Sequence, residues 1–230
     1  MGDLLITVAP TGAETTKADC PQLPTTLAEL IETAQRCEAA GAAMVHVHIR
    51  DDEHRPSLDH YRLAETVAAL RENTGLVVQL STGGSVHDPL DDRLRVLDAR
   101  PDSCSLTMGT TNFGDDVFLN PWPFVCDLYQ LSRERQVVPE FELFELGHVA
   151  ALHRLLGKYG LPHGGRVHVD LVMGVPGGIP GSTDALSPRS RPSRTRRRAG
   201  PRRASVARPS RSRSPHSPRA AISASAWRTS

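Results

Sequence analysis

Ala43-Met44-Val45-His46-Val47-His48-Ile49-Arg50-Asp51 is the stretch on which the reading of the chain turns. It is a short apolar run that carries histidine at two alternate positions and ends in charge, so it reads as a strand whose C-terminal end meets solvent. Positions i and i+2 of a strand face the same side, which puts His46 and His48 on one face with Cβ atoms roughly 7 Å apart.

Working outward, helical and strand patterns alternate. Before this strand, Leu27, Leu30, Ile31, Ala34 and Cys37 recur at helical spacing; Thr25 or Thr26 caps the helix and Gly41 stops it. Residues 58–73 read as the next helix, stopped by Gly75, and 76–80 as the next strand. Helices at 90–99, 121–135 and 144–159 then alternate with strands at 103–107, 137–143 and 166–173. Residues 4–9 form the first strand, closed by the turn residues Pro10-Thr11-Gly12. Six β-then-α units with near-continuous apolar strands predict a parallel sheet covered on both faces.

An open doubly wound sheet and a barrel both satisfy that alternation. Polar residues follow the strands, at Glu14, His48 to Asp51, Ser81, Thr107 and Glu142, and in a barrel those ends converge on one mouth. No G-x-G-x-x-G follows the first strand to mark a dinucleotide site. The expected fold is therefore α/β, a TIM-type (β/α)8 barrel, incomplete here at about six units. The chain has 230 residues, 39% of them hydrophobic, slightly short of the roughly 250 typical of a finished barrel.

The net charge of +1 averages two unlike segments. Thirteen of the 27 basic residues fall in 187–230, which holds no Asp, Glu or Lys, so residues 1–186 carry 14 basic against all 26 acidic groups, a net of −12. An acidic body argues against a nucleic-acid-binding domain. Residues 187–230 are rich in Arg, Ser and Pro and nearly devoid of aliphatic residues; they read as a disordered basic tail. It begins where two strand–helix units are still owed, which favours translation out of frame. The competing reading is a functional arm that binds RNA or other polyanions nonspecifically by charge. The chain shows neither a signal-peptide pattern nor an apolar run of membrane-spanning length, so the expected location is cytoplasmic, with no membrane partner. Cys20, Cys37, Cys104 and Cys126 are scattered, as for reduced thiols.

His46 and His48 have two readings, as hydrogen-bonded structure or as neutral imidazole ligands of Zn²⁺, which in a catalytic site takes a third protein ligand. Glu14 reads as a loop carboxylate, a base or a contact for a cationic substrate group. Ser81-Thr82-Gly83-Gly84 reads as a small nest whose hydroxyl and N–H groups face a carboxylate. Glu140 and Glu142 share a face of one strand, as do His168 and Asp170 of the next. Such inward carboxylates need a partner or a proton.

Five stretches now stand in order: Ala9-Pro10-Thr11-Gly12-Ala13-Glu14-Thr15-Thr16-Lys17, Ala40 to Asp51, Gln79-Leu80-Ser81-Thr82-Gly83-Gly84, Ser105-Leu106-Thr107-Met108-Gly109-Thr110, and Pro139-Glu140-Phe141-Glu142. Over about residues 4–186 they resemble the β-keto acid cleavage enzymes, of the 3-keto-5-aminohexanoate type known from lysine fermentation. The resemblance implies a (β/α)8 barrel, a homo-oligomer in intact members, and a catalytic divalent metal, generally zinc. It implies acyl transfer, in which a β-keto acid and acetyl-CoA become acetoacetate and a new acyl-CoA, the metal acting as Lewis acid on the β-keto oxygen. It makes His46 and His48 metal ligands, brings Glu14 to the variable end of the substrate, sets Ser81, Gly84 and Thr107 around the keto acid, and assigns Glu142, ahead of Glu140, to the catalytic carboxylate.

The family's third metal ligand, a Glu, and its acid–base Asp with an Arg partner fall where this chain has turned to Arg-Ser-Pro sequence, and neither Asp nor Glu follows Asp184. The expectation is weak zinc binding, an open barrel and little or no activity. Two other functions compete with a lyase-like transferase: a non-catalytic polyanion- or RNA-binding protein acting through the tail, and an unrelated metal-dependent barrel aldolase or hydrolase with no need of CoA.

Overall fold

The computed structural model describes residues 4–186; the tail at 187–230, and with it the out-of-frame reading, lies outside the described residues. In chain order the strands are β1 (Thr7–Val8), β2 (Met44–Val47), β3 (Ile49–Arg50), β4 (Pro56–Ser57), β5 (Val77–Leu80), β6 (Ser103–Thr107), β7 (Thr111–Phe113), β8 (Asp116–Phe118), β9 (Val138–Leu143) and β10 (His168–Leu171). The α-helices are α1 (Leu27–Ala39), α2 (His60–Asn73), α3 (Leu90–Arg95), α4 (Trp122–Glu134), α5 (Leu146–Tyr159) and the short α6 (Thr183–Leu186).

Six of these strands form one sheet in the order β1-β2-β5-β6-β9-β10, every pair parallel. Strand order equals chain order, without the reversal that marks a doubly wound sheet. That is how a (β/α) barrel wall is laid down, and the fold is α/β with six strands of a curled, incomplete barrel.

Helices pack against one set of alternating strand positions. Val45, Val47, Val78 and Leu80 meet Leu30, Ala34, Leu63, Val67 and Leu70 from α1 and α2. Cys104, Leu106, Phe141 and Leu143 meet Val125, Leu128, Tyr129, Leu152 and Leu155 from α4 and α5. The other set faces the barrel interior, as the barrel expected from the sequence requires.

Local signals explain the element ends. Thr26 caps α1 by accepting from the Glu29 N–H, and Glu29 returns the bond to Thr26, a complete capping box. Asp59 caps α2 through the Arg62 N–H, which starts that helix at His60 rather than 58. The strand expected over 43–49 divides: β2 stays in the sheet, while β3 turns out to pair antiparallel with β4. Asp51 braces that turn by accepting the Glu53 and Arg55 N–H groups. The helix expected over 90–99 ends as a 3-10 turn (Val96–Ala99), closed by Arg100 at φ 50°. No helix among the described residues is long and apolar enough to cross a membrane.

Candidate active site

Parallel register carries the interior-facing residues into rows. His46 stands opposite Gln79, and Gln79 opposite Ser103. Ser105, Glu140 and His168 make the next row, and Thr107, Glu142 and Asp170 the one nearest the strand ends.

His46 and His48 do share a face. Their Nε2 atoms stand 3.2 Å apart, close to the roughly 3.3 Å that two nitrogens span when each binds one tetrahedral zinc at about 2.0–2.1 Å. The His46 Nδ1–H donates to Gln79 Oε1 at 2.5 Å, so its Nε2 lone pair is the one turned towards His48. Burial lowers the pKa of His46 against the opposing pull of the Gln79 hydrogen bond. Burial, then the charges of His46 and Arg50, hold His48 well below the usual histidine range. Both imidazoles are therefore neutral, the form that binds a cation. They suit two ligand positions of a divalent metal; among the described residues no group of three His, Cys, Asp or Glu completes such a site.

A cavity of about 190 Å³ gathers Glu14, His46, His48, Ser81, Gly84 and Glu142. Its apolar wall comes from Phe113, Phe118, Phe144, Val172 and Val175. Six of the seven residues singled out from the sequence thus line one space. Thr107, the seventh, is buried behind it, and its hydroxyl donates to Glu142 Oε2 at 2.5 Å. A second cavity of about 220 Å³ lies across His48, walled by Thr11, Arg50, Asp51 and Asp52. Asp51 and Asp52 are already paired with Arg55 and Arg62, whereas the smaller cavity gathers both imidazoles, the Ser81 hydroxyl and the Glu142 carboxyl.

Burial first, then the charges of Asp170 and Glu140, pushes Glu142 up to about 8, while the Thr107 hydrogen bond and the Arg93 charge oppose the rise. At neutral pH this carboxyl holds a proton. Arg93 is itself buried between the rings of Phe118 and Phe124. It donates to the Thr82 and Leu119 carbonyls and to Asn120 Oδ1, tying the Ser81–Gly84 loop to the β7–β8 hairpin.

The nest expected at Ser81–Gly84 is largely spent internally. The N–H of Ser81 bonds to the Val47 carbonyl, that of Thr82 to Ser105 Oγ, and that of Gly83 to Ser81 Oγ. The Ser81 hydroxyl keeps its own hydrogen for a ligand. Gly84 sits at φ 51°, where an added Cβ would meet Asp88 Oδ2 at 2.0 Å, so any side chain there is strained and must displace Asp88.

The Glu14 loop hangs from the strand that bears the histidines. Thr11 Oγ1 accepts from the His48 N–H at 3.0 Å. Arg50 Nη2 donates to the carbonyls of Thr11, Gly12 and Thr15 at 3.3, 2.9 and 3.2 Å. Arg50, Arg93 and the aromatic wall were not singled out from the sequence. The hairpin bearing Phe113 and Phe118 had a legible signal: Phe113 pairs with Asp116 across Gly114-Asp115, a two-residue Gly-Asp turn with Gly114 at φ 66°.

The chain matches the profile described as beta-keto acid cleavage enzyme over residues 3–223, a span that runs past residue 186, where the resemblance was expected to end. It is 35% identical over 179 residues to the 3-keto-5-aminohexanoate cleavage enzyme of Fusobacterium nucleatum, covering 76% of this chain and 64% of that protein. The enzyme of the same name from Acetoanaerobium sticklandii is 34% identical over 181 residues, 78% of this chain and 66% of its own. The 3-oxoadipate:acetyl-CoA acetyltransferase of Cupriavidus necator is 33% identical over 186 residues, 80% and 64%. This chain therefore spans 64–66% of the length of these curated relatives. The apo structure of ObcA superposes with a TM-score of 0.60 at 24% identity, covering 67% of this chain and 37% of ObcA, a likeness of fold alone. With the profile matched across most of its length, the chain belongs to the β-keto acid cleavage enzyme family.

Proposed function

We propose that this site takes a β-keto acid and acetyl-CoA and yields acetoacetate and a new acyl-CoA. In that exchange the bond between the α-carbon and the β-carbonyl carbon breaks. The freed acyl group passes to the CoA sulfur and the acetyl group to the α-carbon, so one carbon–carbon bond is lost and one gained. The observation that carries the reading is the convergence of two neutral imidazoles and a protonated carboxyl on one cavity with an aromatic wall. Family membership supports it, as do relatives named for cleaving 3-keto-5-aminohexanoate and for acetyl transfer between 3-oxoadipate and acetyl-CoA.

His46 and His48 would hold a divalent cation, zinc by preference, through Nε2; when bound it supplies Lewis acidity to the β-keto oxygen. Ser81 offers its hydroxyl hydrogen to the substrate carboxylate. Glu142, kept protonated by burial, donates a hydrogen bond or a proton where negative charge develops at the α-carbon. Phe113, Phe118 and Phe144 keep water from that charge. Glu14, exposed at the rim, meets the variable end of the substrate and suits a cationic group. With two ligands and no third among the described residues, zinc is held weakly and turnover is slow.

The test is acetoacetate formation by the full chain from 3-keto-5-aminohexanoate or 3-oxoadipate with acetyl-CoA, in added zinc, beside elemental analysis of the purified protein. Slow, acetyl-CoA-dependent product that disappears on chelation or in His46→Ala/His48→Ala is expected. Cleavage without acetyl-CoA, or undiminished turnover in the double variant, overturns the reading. Near-stoichiometric zinc with rapid turnover overturns the weak-metal part of it.

A further inference from the structure

Gln79 is fully buried in β5, a position where a barrel interior ordinarily carries Val, Ile or Leu. A buried amide is costly unless both ends are bonded, and here both are. Its oxygen accepts from His46 Nδ1 at 2.5 Å, and its nitrogen donates to Glu140 Oε2 at 2.6 Å and reaches Ser103 Oγ at 3.0 Å. The other oxygen of Glu140 lies 3.3 Å from His168 Nε2, with both side chains buried.

We infer that Gln79 and Glu140 are positioning residues, forming an amide–carboxylate relay that locks His46 as the Nδ1–H tautomer and aims its Nε2 lone pair at the space shared with His48. The argument is one of donor and acceptor matching. Turned over, the Gln79 amide would set its oxygen against the Glu140 carboxylate and its N–H₂ against a ring nitrogen, so the carboxylate selects the orientation. An amide oxygen only accepts, so the ring nitrogen facing it must carry hydrogen. A neutral imidazole has one such hydrogen, which leaves Nε2 as the lone-pair nitrogen. Outer partners of this kind orient ligand histidines and raise their basicity. Here the carboxylate acts one amide further out than a direct carboxylate–histidine pair.

The purpose of the relay rests on His46 being a metal ligand; its existence does not. The experiment is ¹⁵N NMR of histidine-labelled full chain without metal, joined to zinc titration against a competing chelator dye. Wild type is expected to show His46 protonated at Nδ1 and bare at Nε2. Gln79→Met and Glu140→Gln are each expected to move the ring towards the Nε2–H form or a mixture, and to weaken zinc by about 10- to 100-fold. The double swap of Gln79→Glu with Glu140→Gln returns an acceptor to Nδ1–H and should restore the wild-type tautomer. An Nε2–H ring in wild type, which requires no variant to fold, overturns the relay. So does an unchanged tautomer in Gln79→Met. If wild type takes up no zinc while its tautomer still depends on Gln79, the relay stands and the metal assignment under the proposed function falls.

Discussion

Glu142→Gln removes one ionisable group while keeping its shape and a partner for the Thr107 hydroxyl. In the folded chain, burial together with the Asp170 and Glu140 charges lifts this carboxyl from an ordinary 4.5 to about 8; in the unfolded chain it titrates as an ordinary Glu. Between those values the folded protein keeps a proton that the unfolded chain has released. Stability from this group is thus complete below about pH 4.5 and is lost as pH rises to about 8, by up to about 1.4 kcal/mol per pH unit. Across the whole window that amounts to on the order of 5 kcal/mol, a ceiling that solvent reaching the cavity reduces. Urea unfolding followed by circular dichroism, in steps from about pH 5 to about pH 8.5, measures it. The variant should match wild type near pH 5 and become progressively the more stable of the two. Histidine titrations are common to both proteins and cancel in the difference. Parallel stability curves from about pH 5 to about pH 8 would refute the burial argument.

Thr107→Val removes the hydrogen bond that holds Glu142 down, so the carboxyl should titrate above wild type in ¹³C NMR; an unchanged or lower midpoint contradicts the assignment. Arg50→Met frees three carbonyls of the Glu14 loop. Hydrogen bonds to a charged group contribute about 1.5–3 kcal/mol each, so amides over 11–16 should exchange at least about tenfold faster, and unaltered protection there would show that another contact holds the loop. Gly84→Ala puts a methyl into Asp88 at a left-handed φ, at a cost of about 1–3 kcal/mol, and should lower Tm by several degrees; wild-type Tm would mean the turn relaxes freely.

Much of the fold was legible because its signals are local. Thr26 with Glu29, Gly160 and the apolar spacing of α1 mark their helix ends without help from the rest of the chain. The shared face of His46 and His48, and that of Glu140 and Glu142, follows from strand periodicity alone. Arg50 and Arg93 were illegible for the opposite reason. Each is a mouth-loop clamp only because carbonyls from residues 11 to 39 positions away in sequence converge on it, and no pattern along the chain encodes that. The spent N–H groups of Ser81 and Thr82 belong to the same class, since their acceptors lie on β2 and β6. The division of residues 43–49 was missed because β3 pairs with β4, a two-residue element too short to leave a periodic trace.

Alternation along the parallel strands carries an architectural argument of its own. Val45, Val47, Cys104, Leu106, Phe141 and Leu143 point to the helices and build the two apolar clusters. His46, Ser103, Ser105, Thr107, Glu140, Glu142, His168 and Asp170 occupy the intervening positions. In a doubly wound sheet both sets would face helices and both would be apolar. Polar residues at the alternate positions of β6 and β10, at His46 of β2 and at Glu140 and Glu142 of β9 mean that this face packs against no helix there, which a barrel interior permits and a doubly wound sheet does not. The same division separates stability from chemistry. Helix packing on the outer face holds the strands in register, so the inner rows are free to carry a hydrogen-bonded polar network. Changing an outer residue such as Phe141 should therefore lower stability, whereas changing Gln79 should move a proton on His46.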